Sequence, residues 1–138
     1  MDPKIFDMTR SDPRYPYEAY EFLSEAVEYT QEMLGRAPLE EEDAETDHHV
    51  TGEELVRGAV ELAIVEFGMM APVVFRQWGI RDTDDVGNIV FNLIEANKLS
   101  RSDRDDITDF HALFDLDKAL AEGFVMTAPT GKPGKGSR

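Results

Sequence analysis

A capped apolar segment near the middle of the chain limits the possible folds more than any other feature. Thr51 stands three residues before Glu54, the spacing at which each side chain can satisfy the other residue's backbone N–H at a helix start. Val50 and Leu55 hold the two positions that staple such a cap. Beyond it, Leu55, Ala59 and Leu62 form one stripe, Val56, Val60, Ala63 and Phe67 lie beside it, and Gly68 ends the run. An apolar arc this wide belongs to a helix packed on more than one side. The chain must therefore surround it with other elements. On its polar side, Arg57 and Glu61 are spaced to pair.

The surrounding elements also read as helices. Tyr20, Leu23, Val27, Thr30 and Leu34 recur at steps of three and four, predicting a helix over residues 17–34 closed by Gly35. A short helix over residues 72–78 follows the central one, with Pro72 in its first turn and Gly79 past its end. So few polar residues dilute Val73, Val74, Phe75 and Trp78 that all four are expected to be buried. Thr83 or Asp82 caps the next helix, over residues 84–96, which turns Val86, Ile89, Val90, Leu93 and Ile94 inward and reaches a C-terminal signal at Asn97. Asp84 and Asp85 favour its positive end. Ser102 with Asp105 marks a fifth start, leading to Ile107, Phe110 and Phe114, and a last turn through Leu116, Ala119 and Leu120 ends at Gly123. No alternating strand pattern and no solenoid repeat is present.

With 138 residues and an apolar fraction of 41%, the chain suits one domain able to bury roughly 68–70% of its unfolded surface. It carries 29 Asp+Glu against 14 Lys+Arg, a net charge of −15, which opposes binding of nucleic acid or anionic lipid over the whole surface. Zero cysteines exclude disulfides, thiolate metal sites and cysteine nucleophiles, and suit a reducing compartment. The first residues lack an apolar leader core. No stretch reads as uncharged and apolar enough to span a bilayer, so a cytoplasmic location is expected. Charge is unevenly spread. Glu40, Glu41, Glu42, Asp43, Glu45 and Asp47 crowd together without a basic residue, predicting a solvated acidic loop over residues 36–49. The end of the chain, residues 127–138, is rich in Gly and Pro, holds Lys132, Lys135 and Arg138, and reads as a disordered basic tail. Transient contacts between tail and acidic loop, competing with an external basic partner, follow from their opposite charges. Residues 1–16, punctuated by Pro3, Pro13 and Pro16, read as an irregular lead-in.

Several short blocks occur in a specific order: His49-Val50-Thr51-Gly52-Glu53-Glu54-Leu55, Phe67-Gly68, Trp78-Gly79-Ile80, Asn88-Ile89-Val90-Phe91-Asn92-Leu93, then Asp105-Asp106 and Asp109-Phe110. In this order they resemble a conserved family of small bacterial proteins named for planctomycetes and verrucomicrobia, over residues 15–124. The resemblance implies a bacterial source. It implies no activity, cofactor or catalytic residue.

Candidate chemistry is sparse. Asp47-His48-His49 is the most suggestive cluster, because neutral imidazoles with a carboxylate bind transition metals, and His111 with Asp109 or Asp115 could join it in space. Adjacent histidines on an extended chain point apart, however, and the helical His-Glu-x-x-His spacing is missing. The run Asp82-Thr83-Asp84-Asp85-Val86-Gly87 fails as a calcium loop, with Val86 and Leu93 where oxygen ligands are required. Hydrolase and nucleotide-binding motifs are absent. Glu61, Glu66, Asp105, Asp106 and Asp109 could hide a catalytic pair, yet none stands out from a solvated acidic face. Residues 72–99 outline a helix-turn-helix, but the would-be recognition helix opens on Asp84-Asp85 and offers only Asn88 and Asn92 as base-reading amides.

The expectation is an all-α protein: a compact bundle of four to five helices in a single domain over residues 17–126, with a winged-helix-like arrangement over residues 51–115 as the alternative. The function expected is a non-enzymatic acidic module whose residues Glu40, Glu41, Glu42, Asp43, Glu45 and Asp47 contact a basic protein partner. Two alternatives stand beside it: a metal-binding protein or metal-dependent enzyme using His48, His49 and His111, and a helix-turn-helix nucleic-acid binder. No cofactor is expected.

Overall fold

The computed structural model describes residues 2–35, 50–96 and 106–123. They form α1 (Pro3–Ser11), α2 (Tyr17–Met33), α3 (Gly52–Phe67), α4 (Ala71–Gln77), α5 (Thr83–Glu95) and α6 (Leu116–Glu122), with 3-10 turns at Gly68–Met70 and Ile107–Phe110. The protein is an all-α compact bundle. Among the described residues there is no strand, so none supplies the wing that the winged-helix alternative needs.

The expected capping box opens α3: Thr51 Oγ1 accepts from the Glu54 N–H, and Glu54 accepts from the Thr51 N–H. Every apolar residue expected on its inner arc is buried except Phe67, which lies partly buried at its end. α3 is the hub, touching α2, α4, α5, α6 and both 3-10 turns. Its closest neighbour is α2, at Gly58. A Cβ added there would collide with the Thr30 hydroxyl, so only glycine allows this approach. Thr30, buried, donates that hydroxyl to the Ala26 carbonyl at 2.7 Å. The 107–110 turn closes on α5 by a similar device: a Cβ on Gly87 would lie 2.8 Å from the Phe110 side chain. Phe22 gathers Phe67, Phe75 and Trp78 around it, with ring centroids 5.5–5.7 Å away.

The structure corrects several expectations. Residues 3–11 are a helix rather than an irregular lead-in: Pro3 occupies the first helical position and Asp2 caps it by accepting from the Lys4 N–H. Ile5 anchors α1 in the core. Over the described residues 106–123 the expected fifth helix is not continuous, and its expected start at Ser102 and Asp105 lies outside the described residues. Asp106 and Asp109 cap a single 3-10 turn instead, and Asp115 starts α6 separately. Thr83 is no cap; Asp82 is, in a box with Asp85. The buried Thr83 hydroxyl donates to the Phe110 carbonyl at 2.6 Å and accepts from the Leu113 N–H. Arg57 pairs with Glu53, not Glu61, and its guanidinium lies over the Phe114 ring. Glu before Arg at this spacing is the better orientation against the helix dipole. Phe75 is buried, but Trp78 and Val74 are partly buried, and Val73 and Leu34 face solvent. By length and composition Gly52–Gln77 does reach what a bilayer requires, contrary to expectation. Its backbone breaks at Gly68 (φ 55), and its inward residues form the centre of the bundle.

Candidate interaction surface

The two faces of α2 differ in kind. Ala19, Tyr20, Phe22, Leu23, Ala26 and Thr30 are buried against α3 and α5. Opposite them, Glu18, Glu21, Glu25, Glu28 and Glu32 recur at steps of three and four, and all five are exposed. They make a stripe about 21 Å long at 1.5 Å rise per residue. α2 contains no basic residue, and among the described residues none of the five glutamates meets a cation.

Helix stability does not explain the stripe. Like charges at Glu21–Glu25 and Glu28–Glu32 each oppose the helix by roughly 0.2–0.5 kcal/mol. Glu32 also sits in the last turn, at the negative end of the helix dipole, where a cation would be favoured. Glu25 is worse placed still. The Glu66 carboxyl on α3 faces its own, and this acid neighbour together with burial raises the Glu25 pKa above the ordinary carboxylate value. Such a contact between acids persists only because the packing of α2 on α3 imposes it.

An apolar knuckle starts beside Glu66. Val65, Met69, Met70 and Val73 are 72%, 93%, 55% and 38% exposed, respectively. They come from the end of α3, the 68–70 turn and the first turn of α4. Gly68, with positive φ, ends α3 and turns the chain between them.

A second polar cluster joins the α1–α2 loop to α5, and every group in it has a partner. Arg14 clasps Asp12 through Nε at 2.8 Å and Nη2 at 2.7 Å. Asn92 donates to Asp12 at 2.9 Å and to the buried Tyr20 hydroxyl at 3.0 Å. The Tyr15 hydroxyl donates to Asp85 at 2.6 Å and accepts from Asn88 at 3.1 Å. The Arg14 hydrogen bonds hold Asp12 well below the usual carboxylate range, although burial opposes them. Burial pushes both phenols up, with the Asp85 hydrogen bond reinforcing this for Tyr15. The two amides on which base reading would rest, Asn88 and Asn92, are thus engaged within the chain.

The residues expected to carry function fare unequally. Glu40, Glu41, Glu42, Asp43, Glu45, Asp47, His48 and His49 lie outside the described residues, as does the tail. His111 lies at the end of the 107–110 turn, exposed, with Nδ1 3.1 Å from Asp84 Oδ2. Asp109 and Asp115 cap helical turns, and among the described residues no three metal-ligating side chains converge. Of the suggested catalytic carboxylates, Asp106 and Asp109 cap one another's turn, Glu66 meets Glu25, and Asp105 lies outside the described residues. An open depression of about 250 Å³ is lined by Arg76, Arg81 and Asp117, with Arg76 bound to Asp117 at 3.1 Å. No known protein family, curated protein or solved structure matches the chain.

Proposed function

We propose that this protein is a non-enzymatic, acidic interaction module that binds a basic protein partner in the cytoplasm. The observation that carries this reading is the α2 stripe, where Glu18, Glu21, Glu25, Glu28 and Glu32 are all exposed and meet no cation among the described residues, and where only Glu18, in the first turn, is favoured by the helix dipole. Acids that no cation neutralises among the described residues are available to an external one. The stripe leads toward the acidic residues 40–47 in sequence, so one partner could engage both. Attraction of this kind steers encounter and weakens with salt, because the screening length is about 8 Å at physiological ionic strength.

Fluorescence anisotropy with a labelled Ser/Lys peptide tests the reading. Binding is expected at low salt and should fall steeply as salt is raised. The quadruple variant Glu18→Gln, Glu21→Gln, Glu28→Gln, Glu32→Gln should weaken it at least tenfold while keeping its helicity. Unchanged affinity in that variant would remove α2 as the interaction surface.

A further inference from the structure

We propose that the apolar knuckle of Val65, Met69, Met70 and Val73 receives the apolar side of a basic amphipathic helix from another protein, whose cationic side lies along the α2 stripe. This rests on the interaction reading above and gives the partner a second chemical requirement. The patch is more than scattered exposure: its four residues lie within nine positions around the chain reversal at Gly68, and Met69 is 93% exposed. Contiguous bare apolar surface marks interaction sites in soluble proteins. Methionine suits such a surface, because its unbranched, polarisable side chain adapts to differently shaped partners.

Charge selects the occupant. Glu66 follows Val65 directly, and Phe67 after it packs on Phe22 of α2 with ring centroids 5.7 Å apart, so the apolar patch adjoins the acid-bearing helix. Arg76, three residues beyond Val73, is bound to Asp117 on α6, which neutralises the nearest cation on α4. A straight acid row about 21 Å long matches the basic edge of a helix of about 14 residues. A second copy of this chain would bring its own acid stripe to the contact, and anionic lipid would meet the same repulsion.

The experiment compares two labelled peptides of equal length and charge, one Leu/Lys and amphipathic, the other Ser/Lys, against the full chain at physiological salt. The wild type should bind Leu/Lys about tenfold more tightly than Ser/Lys. Met69→Ser/Met70→Ser should abolish that preference, with Ser/Lys affinity, helicity and melting temperature unchanged. Both methionines are exposed, so the variant is expected to fold; Met69→Gln alone, expected to lose part of the preference, provides a milder check. Equal wild-type affinity for the two peptides, or a preference that survives the double substitution, overturns the knuckle while leaving the acidic reading intact. Failure of Ser/Lys to bind at any salt concentration instead defeats the acidic reading itself. Three further results would assign the patch to another occupant and overturn the proposal. These are a dimer that the double substitution dissociates, substitution-sensitive binding to phosphatidylcholine vesicles, and Leu/Lys preference that appears only after deletion of residues 124–138.

Discussion

Between the α1–α2 loop and α5, Asp12 meets Arg14 and Asn92, Asp85 meets Tyr15, and the buried phenol of Tyr20 has its own donor. Along the outer face of α2, five exposed glutamates meet no cation among the described residues, and Glu25 has another acid beside it. Both regions are polar, but one has its charges satisfied inside the molecule and the other does not. A buried charge must be paired or it costs more than it returns, whereas an exposed one tolerates lack of a partner for a few tenths of a kcal/mol. The first region therefore acts as a fastener for the fold, and the second remains available for binding.

Substitutions should separate the two regions by size of effect. Asn92→Leu removes the donor to both Asp12 and Tyr20, leaving a carboxylate and a buried phenol each short of a partner. A loss of about 2–3 kcal/mol in urea unfolding is expected, and a loss near zero would mean the cluster fastens nothing. Asp12→Asn should cost about 1–2 kcal/mol at neutral pH, since it replaces a charge-assisted pair.

Asp12→Asn should also change the pH profile. The folded-state pKa of Asp12 lies below its unfolded value, so its stabilisation is present above pH 4 or so and fades as pH falls through the lowered value. The variant should lose less stability on acidification than the wild type. Tyr15→Phe should cost about 1 kcal/mol and act at the other extreme. Because the raised phenol pKa stabilises the fold below the ordinary tyrosine value and loses that contribution as pH rises through it, the variant should show a shallower alkaline decline.

The smallest effect belongs to the stripe. Glu25→Gln should change stability by no more than about 0.5 kcal/mol, and in the stabilising direction. Its raised pKa means that wild-type stability falls as pH climbs through the carboxylate range, and the amide escapes that fall. Destabilisation by Glu25→Gln, measured at low salt, would show that the acid contact with Glu66 supports the fold after all.

The acid stripe was present in the sequence. The steps of three and four that mark the inner face of α2 by Tyr20, Leu23, Val27 and Thr30 also mark its outer face by glutamates. A dense run such as the six acids of residues 40–47 draws attention first because its charges are adjacent, whereas helical spacing distributes five over 15 positions. The knuckle was not legible. Val65, Met69, Met70 and Val73 resemble core residues, and Val73 was expected to be buried, yet all four are exposed where the chain turns from α3 to α4.

What the sequence determined by itself were features that act within one turn of helix. The Thr51–Glu54 box and the glycines that end helices at Gly35, Gly68 and Gly123, all with positive φ, follow from side-chain reach or from the conformational freedom of a missing Cβ. Together with the apolar periodicity they fixed an all-α protein. Tertiary structure decided everything that joins residues far apart in the chain. Asn88 and Asn92 find Tyr15 and Asp12 across separations of 73 and 80 residues, Glu25 is pressed against Glu66, and Trp78 stays partly open beside Phe22. Periodicity tells which face of a helix turns inward. It does not tell which other helix that face will meet, because many apolar partners are nearly equivalent until close packing at points such as Gly58 and Gly87 selects one arrangement.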